Sequence, residues 1–173
     1  EADAFDDVEE VRLLEELARQ LAYGITSLRT RGEHERHARL LRDSLEQSIQ
    51  MIAGTVESRD PYTAGHQRRV AHLARAMALE MGLPEDQVTS IHLASTIHDL
   101  GNIHVPAEIL TRTGKLNEIE YLFIQTHSQA GYDILKDVQF PWPIATIILQ
   151  HHERLDGSGY PQGLKGEQIL LEA

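Results

Sequence analysis

Residues 85–101 read EDQVTSIHLASTIHDLG, and their apolar positions Val88, Ile91, Leu93, Ala94 and Ile97 cover most of a helical circumference. A helix that is apolar nearly all round belongs in the middle of a bundle. Pro84 is a helix-starting proline, and the helix is expected to run to about Asp99, so that an adjacent His98-Asp99 pair closes it. Upstream, Val70, Leu73, Ala74, Met77, Ala78 and Met81 mark an amphipathic helix closed by Gly82. Downstream, a loop with Gly101, Pro106 and Gly114 leads to Asn117, which with Glu120 three residues on forms a capping-box signature. Two helices are expected next, near Glu118–Thr126 and Gln129–Lys136. After Pro141-Trp142-Pro143 a last helix carries Ile144, Ile147, Ile148 and His151, followed by a glycine-rich loop from Asp156 to Gly166. No alternating strand pattern and no repeat is present, so the expected fold class is all-α.

Further upstream the chain reads as helix without a globular core of its own. Val11, Leu14, Ala18, Leu21, Ile25 and Leu28 follow a 3-4-3-4-3 spacing, a heptad seam. The register is lost in the charged stretch Thr30–His37. Leu45, Ile49, Ile52 and Val56 resume it in a shifted frame, which implies a stutter or a short break. Narrow stripes with charged flanks favour a parallel coiled coil over packing on the rest of the chain. Arg59-Asp60-Pro61 ends the helical run, because proline disfavours helical geometry in the residue before it.

Composition narrows the chemistry. The 173 residues are 41% hydrophobic and 25% charged, enough for one well-buried domain and an extension. Cysteine is absent, which excludes disulfide scaffolds, zinc ribbons and thiol nucleophiles and leaves His and carboxylates as metal ligands. A net charge of −11, from 16 basic and 27 acidic residues, argues against binding a long nucleic acid through phosphate neutralisation. Aliphatic stretches such as Ile144–Leu149 fall far short of a bilayer crossing and the acidic N-terminus is unlike a signal peptide, so a cytoplasmic location is expected.

Ten histidines are present, and four places on or beside apolar stripes carry the information: His66, His98-Asp99, His127 and His151-His152. His127 lies four after Phe123, and His151 lies three and four after Ile148 and Ile147. One inward histidine is more often a hydrogen-bonded core residue than a ligand. Four such places change the balance, since burying five imidazoles and a carboxylate without strong partners costs on the order of several kcal/mol, and coordination satisfies them. A carboxylate bridges two ions where a neutral imidazole cannot, which makes Asp99 the natural bridge. The all-N/O set suits iron, manganese or zinc better than copper(I). Two ions about 3.5–4 Å apart are the usual device for in-line displacement at phosphorus, so phosphoester hydrolysis is the expected chemistry.

The runs Arg59-Asp60-Pro61-Tyr62-Thr63-Ala64-Gly65-His66, His98-Asp99-Leu100-Gly101 and His151-His152-Glu153-Arg154-Leu155-Asp156-Gly157-Ser158-Gly159-Tyr160-Pro161 closely resemble the HD-GYP family of bacterial signalling phosphodiesterases, from about Val56 onward. The resemblance implies long N-terminal coiled-coil-like helices followed by an HD-type helical bundle with a central dimetal site. It implies hydrolysis of cyclic di-GMP to pGpG and/or GMP. His66 and His98 would serve one metal, Asp99 would bridge, and His127, His151 and His152 would serve the other, with iron or manganese ahead of zinc. Tyr62 stands four before His66, where three-metal members carry glutamate, which implies two metals. Asp60 matches an aspartate that partners a lysine in contact with substrate phosphate, but the position of that lysine is Asn102 here. An amide donates a hydrogen bond yet carries neither charge nor a transferable proton near neutral pH. Asp99, Asp60 and Asn102 are therefore the candidate catalytic residues, while His104 reads as an exposed loop residue. The loop with Asp156, Gly159, Tyr160 and Pro161 is assigned to ligand contact or to docking of a diguanylate cyclase (GGDEF-type) partner.

The family continues beyond Leu171-Glu172-Ala173 into a helix with a last metal-ligating aspartate and basic residues, so the domain is expected to be incomplete on its C-terminal side. Leu14–Arg31 resembles the closing helix of GAF-type sensory domains. The expected organisation is thus 1–31 as a helix closing an upstream sensor, 32–57 as a signalling linker and 58–173 as the HD-GYP domain. The leading expectation is an output domain, homodimeric through its N-terminal helices, that hydrolyses cyclic di-GMP with two divalent ions. The alternative is a regulatory module that binds metal, ligand or a diguanylate cyclase partner without turnover because of Asn102.

Overall fold

The computed structural model describes residues 3–59 and 65–173, with side chains from Glu9 onward in the first helix. Six α-helices follow in order among the described residues: α1 (Asp3–Glu57), α2 (His66–Glu80), α3 (Glu85–Ile97), the single turn α4 (Ala107–Leu110), α5 (Glu118–Leu135) and α6 (Ile144–Gln150). Short 3₁₀ helices occupy Leu100–His104 and Gly166–Gln168. The fold is all-α, and a lone bridge between Asp156 and Lys165 is the nearest approach to a sheet among the described residues. No described helix is long and apolar enough to cross a membrane.

The chain divides into two compact units, Glu1–Leu45 and Glu46–Ala173. The first is helix alone, and its seam stands uncovered, with Leu14, Leu21 and Leu28 64%, 65% and 72% exposed. α1 passes through Thr30–His37 without the break that the charged stretch suggested. Gly32 is tolerated there, and an Arg31–Glu35 pair at 3.1 Å supports the same turn.

The second stripe of α1 departs from its coiled-coil reading. Ile49, Ala53 and Val56 are buried against Leu93, Ala94, Ile97 and Leu100, while Leu45 and Ile52 stay exposed. Positions 49, 53 and 56 share one helical face, so the helix packs on its own chain, and its last turns join the second unit ahead of residue 58.

In that unit α3 is the central helix its pattern predicts, packed on α2 and α6 and burying Val88, Leu93, Ala94 and Ile97. Ile144 and Ile148 of α6 are fully enclosed, each contributing about 1.5–3 kcal/mol relative to exposure. α2 stops in a Schellman motif, with the Leu83 N–H on the Ala78 carbonyl at 3.1 Å and the Gly82 N–H on that of Leu79 at 3.0 Å. Gly82 takes the left-handed φ of 70° that this ending needs. The Asn117–Glu120 capping box forms reciprocally, both bonds at 2.9 Å.

α5 is one helix where two were expected. Nothing in Thr126-His127-Ser128 lacks a backbone donor, and the Thr126 hydroxyl is absorbed by the Phe123 carbonyl at 2.6 Å. The expected loop after α3 also contains the 3₁₀ helix and α4. Arg59, just past α1, donates to the carbonyls of Asn102 and Val105, each at 3.2 Å, and to that of Ile103. At the end of the 3₁₀ helix the Asn102 carbonyl also takes the Val105 N–H at 3.1 Å, and Arg59 adds a charged donor to it and to the carbonyls that follow. Arg59→Ala is expected to lower the unfolding free energy by about 2–3 kcal/mol in urea denaturation, because they lose a charged donor. A loss under about 0.5 kcal/mol would mean that water replaces the guanidinium.

Candidate metal centre

The helix ends converge on one point. His66 opens α2, His98 caps the end of α3, Asp99 precedes the 3₁₀ helix, His127 lies within α5, and His151 caps α6 with His152 after it. The six side chains form two groups, His127 with His151 and His152, and His66 with His98 and Asp99. Within each group one ligand atom per residue lies within 4.8 Å of the others. Asp99 faces both, its Oδ2 3.1 Å from His98 Nε2 and its Oδ1 3.7 Å from His127 Nε2.

Three imidazoles are held alike. The Nδ1 atoms of His98, His127 and His151 meet the carbonyls of Ser95, Ile124 and Ile148 at 2.9, 2.6 and 2.6 Å. A carbonyl only accepts, so each Nδ1 carries the proton; the Nε2 atoms of His127 and His151 present lone pairs, while that of His98 donates to the Asp99 carboxylate in the metal-free protein. The Nε2 atoms of His127 and His151 then oppose each other at 3.1 Å. Two lone pairs at that distance repel, and a cation resolves the conflict. This residue set therefore fits a metal, with backbone carbonyls orienting the rings as metal-ligating histidines require. His152 is placed differently, its ring stacked on that of Tyr160 at 4.7 Å.

Burial pushes His151 down to about 3, with the adjacent His152 adding to the effect, and burial pushes His152 down to about 4. Both are neutral near pH 7, the form that binds metal. Burial works against charge on Asp99, yet the hydrogen bond and charge of His98 hold its carboxyl below the usual range. Burial likewise opposes charge on His98, and the Asp99 contact overcomes it and raises the imidazole. Burial pushes the Tyr160 hydroxyl up to about 12, so it remains a donor.

A pH dependence follows for the metal-free protein. Unfolded imidazoles protonate near 6.5, while folded His151 and His152 resist until about 3 and about 4. The unfolded state therefore binds more protons below 6.5, and stability falls as pH falls through that window. The raised His98 acts only above 6.5, its stabilisation being complete below that and lost as pH rises through its folded value. Thermal melts with chelator at about pH 7, 6 and 5 are expected to show a descending midpoint. A flat midpoint would mean that these imidazoles are solvated.

Asp60 and Tyr62 lie outside the described residues. Asn102 sits in the 3₁₀ helix, its carbonyl accepting from both the Val105 N–H and Arg59. Asp156 shapes its own turn, accepting from the Ser158 N–H at 2.9 Å and hydroxyl at 2.6 Å. Gly159 packs against the backbone of residues 152–154, the Tyr160–Pro161 peptide is cis, and the Tyr160 ring lies 6.4 Å from that of His127. Two carboxylates carry roles that spacing did not signal. Glu153 accepts from the N–H groups of Gln162, Gly163 and Leu164 at 2.6, 3.1 and 2.9 Å, and Glu57 accepts from those of Gly65 and Gln67. Beside the centre lies a cleft of about 440 Å³, walled by Met77, Ala94 and Ile147, with His98, His151 and His152 on its polar side. That size and lining suit a small-molecule ligand.

The HD domain family matches residues 37–173. The chain is 41% identical over 129 residues to the cyclic di-GMP phosphodiesterase response regulator RpfG of Xanthomonas campestris pv. campestris, covering 73% of this chain and 34% of that protein. It is 41% identical over 121 residues to the 3'3'-cGAMP-specific phosphodiesterase 1 of Vibrio cholerae, covering 70% and 28%. It is 40% identical over 131 residues to a cyclic di-GMP phosphodiesterase of Thermotoga maritima, covering 75% and 36%. The chain belongs to the metal-dependent HD domain family, in its HD-GYP branch. It spans about a third of the length of these relatives.

Proposed function

We propose that this chain carries a metal-dependent phosphodiesterase centre that hydrolyses a cyclic dinucleotide, cyclic di-GMP first, to pGpG and/or GMP. The observation that carries the proposal is Asp99, one carboxylate offering an oxygen to each of two nitrogen-rich groups. His66, His98 and Asp99 would hold one divalent ion and His127, His151 and His152 the other, iron or manganese ahead of zinc. When bound there, such a pair would supply Lewis-acid activation of phosphate and water for phosphodiester hydrolysis. The protein's own part is orientation: carbonyl-anchored imidazoles present their Nε2 atoms, and the apolar walls of the cleft limit competing water. Tyr160, protonated at neutral pH, is a donor beside the centre. Asn102 can hold a phosphate oxygen through its amide but cannot deliver a proton, and Asp60 is the third candidate of the catalytic group. The relatives named for cyclic di-GMP and for 3'3'-cGAMP share a substrate class with two phosphodiester linkages, differing in one base.

The test is turnover by the chain loaded anaerobically with iron(II) or manganese(II) and offered cyclic di-GMP or 3'3'-cGAMP, with products resolved by chromatography. A linear dinucleotide or mononucleotide is the expected product. Silence in protein that holds two ions, with activity gained in Asn102→Lys, would make the domain a binding module instead.

The uncovered seam from Val11 to Leu28 is assigned to a parallel contact with a second copy, supported by its heptad spacing and exposure. Light scattering should give twice the 19.5 kDa chain mass, and a persistent monomer would remove the assignment. The loop with Asp156, Gly159, Tyr160 and Pro161 is assigned, on the family resemblance, to ligand contact or to docking of a diguanylate cyclase partner.

A further inference from the structure

We infer that Glu57 is the positioning residue for His66, and so for the ion that His66, His98 and Asp99 would share; this rests on reading that group as a metal pocket. Every other imidazole of the centre has its own restraint: carbonyls hold His98, His127 and His151, and the Tyr160 ring holds His152. His66 has no such restraint among the described residues. It is the first residue of α2, so no helical turn ahead of it offers a carbonyl, and its ring neighbour is His98 with centroids 6.1 Å apart. The position of His66 is therefore the position of the first turn of α2.

Glu57 grips that turn on both sides of His66. Its Oε2 accepts from the Gly65 N–H at 3.0 Å and its Oε1 from the Gln67 N–H at 2.8 Å. N–H groups at a helix start lack intrahelical acceptors, and here the N-cap residue is Gly65, at φ 71°, which has no side chain to supply one. The cap comes instead from the end of α1, as a carboxylate on the positive end of the α2 dipole. Two bonds to one rigid carboxylate restrain the first turn against rocking, where one would leave a pivot. Glu57 is itself fixed, because Val56 beside it is buried and Arg59 is tied to the carbonyls after Asp99. The last turn of α1 thus reaches both ligand-bearing segments of one pocket.

The test is manganese(II) binding by calorimetry on the chelator-stripped full chain, comparing wild type, His66→Ala, Glu57→Ala and Glu57→Gln, with metal-free melting points alongside. Wild type should take two ions, and His66→Ala should lose or greatly weaken one. In Glu57→Ala one of the two sites is expected to weaken by about 10–100-fold, the usual cost of losing a group that orients a ligand, while the other stays within about twofold. Glu57→Gln, which keeps the shape and one accepting oxygen, should fall between, and it carries the test if Glu57→Ala does not fold. A merely structural cap would lower the melting point and leave both affinities unchanged. Unchanged affinities in the folded Glu57 variants, with one ion lost in His66→Ala, overturn the inference alone. Two tight ions in His66→Ala, or none in wild type, overturn the metal reading and the inference with it.

Discussion

On the proposed function, Asp99→Ala is expected to remove both ions and to reduce the proposed cyclic di-GMP hydrolysis by about 10³-fold or more, since metal-borne stabilisation of charge at phosphorus is worth several kcal/mol and each factor of ten is about 1.4. The size of the effect follows from the charge inventory of the centre, one carboxylate among five imidazoles. Without it, two cations would face neutral nitrogens alone, and the group that spans both clusters would be gone. Asp99→Asn separates charge from shape, because the amide keeps the bulk and one accepting oxygen. Both variants should retain their helical circular dichroism, as Asp99 supports no helix through its side chain. Metal content by mass spectrometry and turnover should fall together. Two bound ions with turnover above about a tenth of wild type in Asp99→Asn would refute the bridging role.

Gly101→Ala is expected to cost about 3 kcal/mol or more of stability and to abolish metal binding at the His127 group. A Cβ at this position would enter the space of the His127 carbonyl and the Gly131 N–H, both backbone atoms of α5. Side chains can rotate away from an added methyl, but a helix backbone moves only as a body, and His127 moves with it. The opposing face offers no relief, because a Cβ on Gly131 would meet the Ile148 methyl. Gly24→Ala is the control, since that glycine lies in α1 with nothing within 4 Å of its Cβ position. There the methyl should add about 0.5–1 kcal/mol of helix stability where the helix is ordered. Urea denaturation of the two variants checks both signs, and a Gly101→Ala protein as stable as wild type would refute the close approach.

The parts of the fold legible in the sequence were those written in local patterns. The Gly82 ending of α2, the Asn117–Glu120 box and the all-round apolar content of α3 each rest on residues within one or two turns, and each appears in the structure. Of the six donors that meet in two groups, His98, His127 and His151 were legible from helical spacing to apolar neighbours, Asp99 and His152 from adjacency to them, and His66 from the motif that ends in it. Other features were not legible. Glu57, Arg59 and Glu153 act on backbone N–H and carbonyl groups that every residue type carries, so no pattern in the partner betrays the contact. The partition of the second α1 stripe was hidden for a related reason: 45-49-52-56 and 49-53-56 are both helical spacings, and only the presence of a core on one side chooses between them.

The anchoring of His98, His127 and His151 through main-chain carbonyls has a consequence for inheritance. Ser95, Ile124 and Ile148 supply oxygens that belong to the peptide unit, so replacing the Ser95 or Ile124 side chain leaves the bond to the imidazole in place. An orienting carboxylate, by contrast, can be lost in one substitution. A lineage built this way can vary the residues one turn before its ligands, retuning packing and partner surfaces generation by generation, while the ring orientations at the centre pass on unchanged.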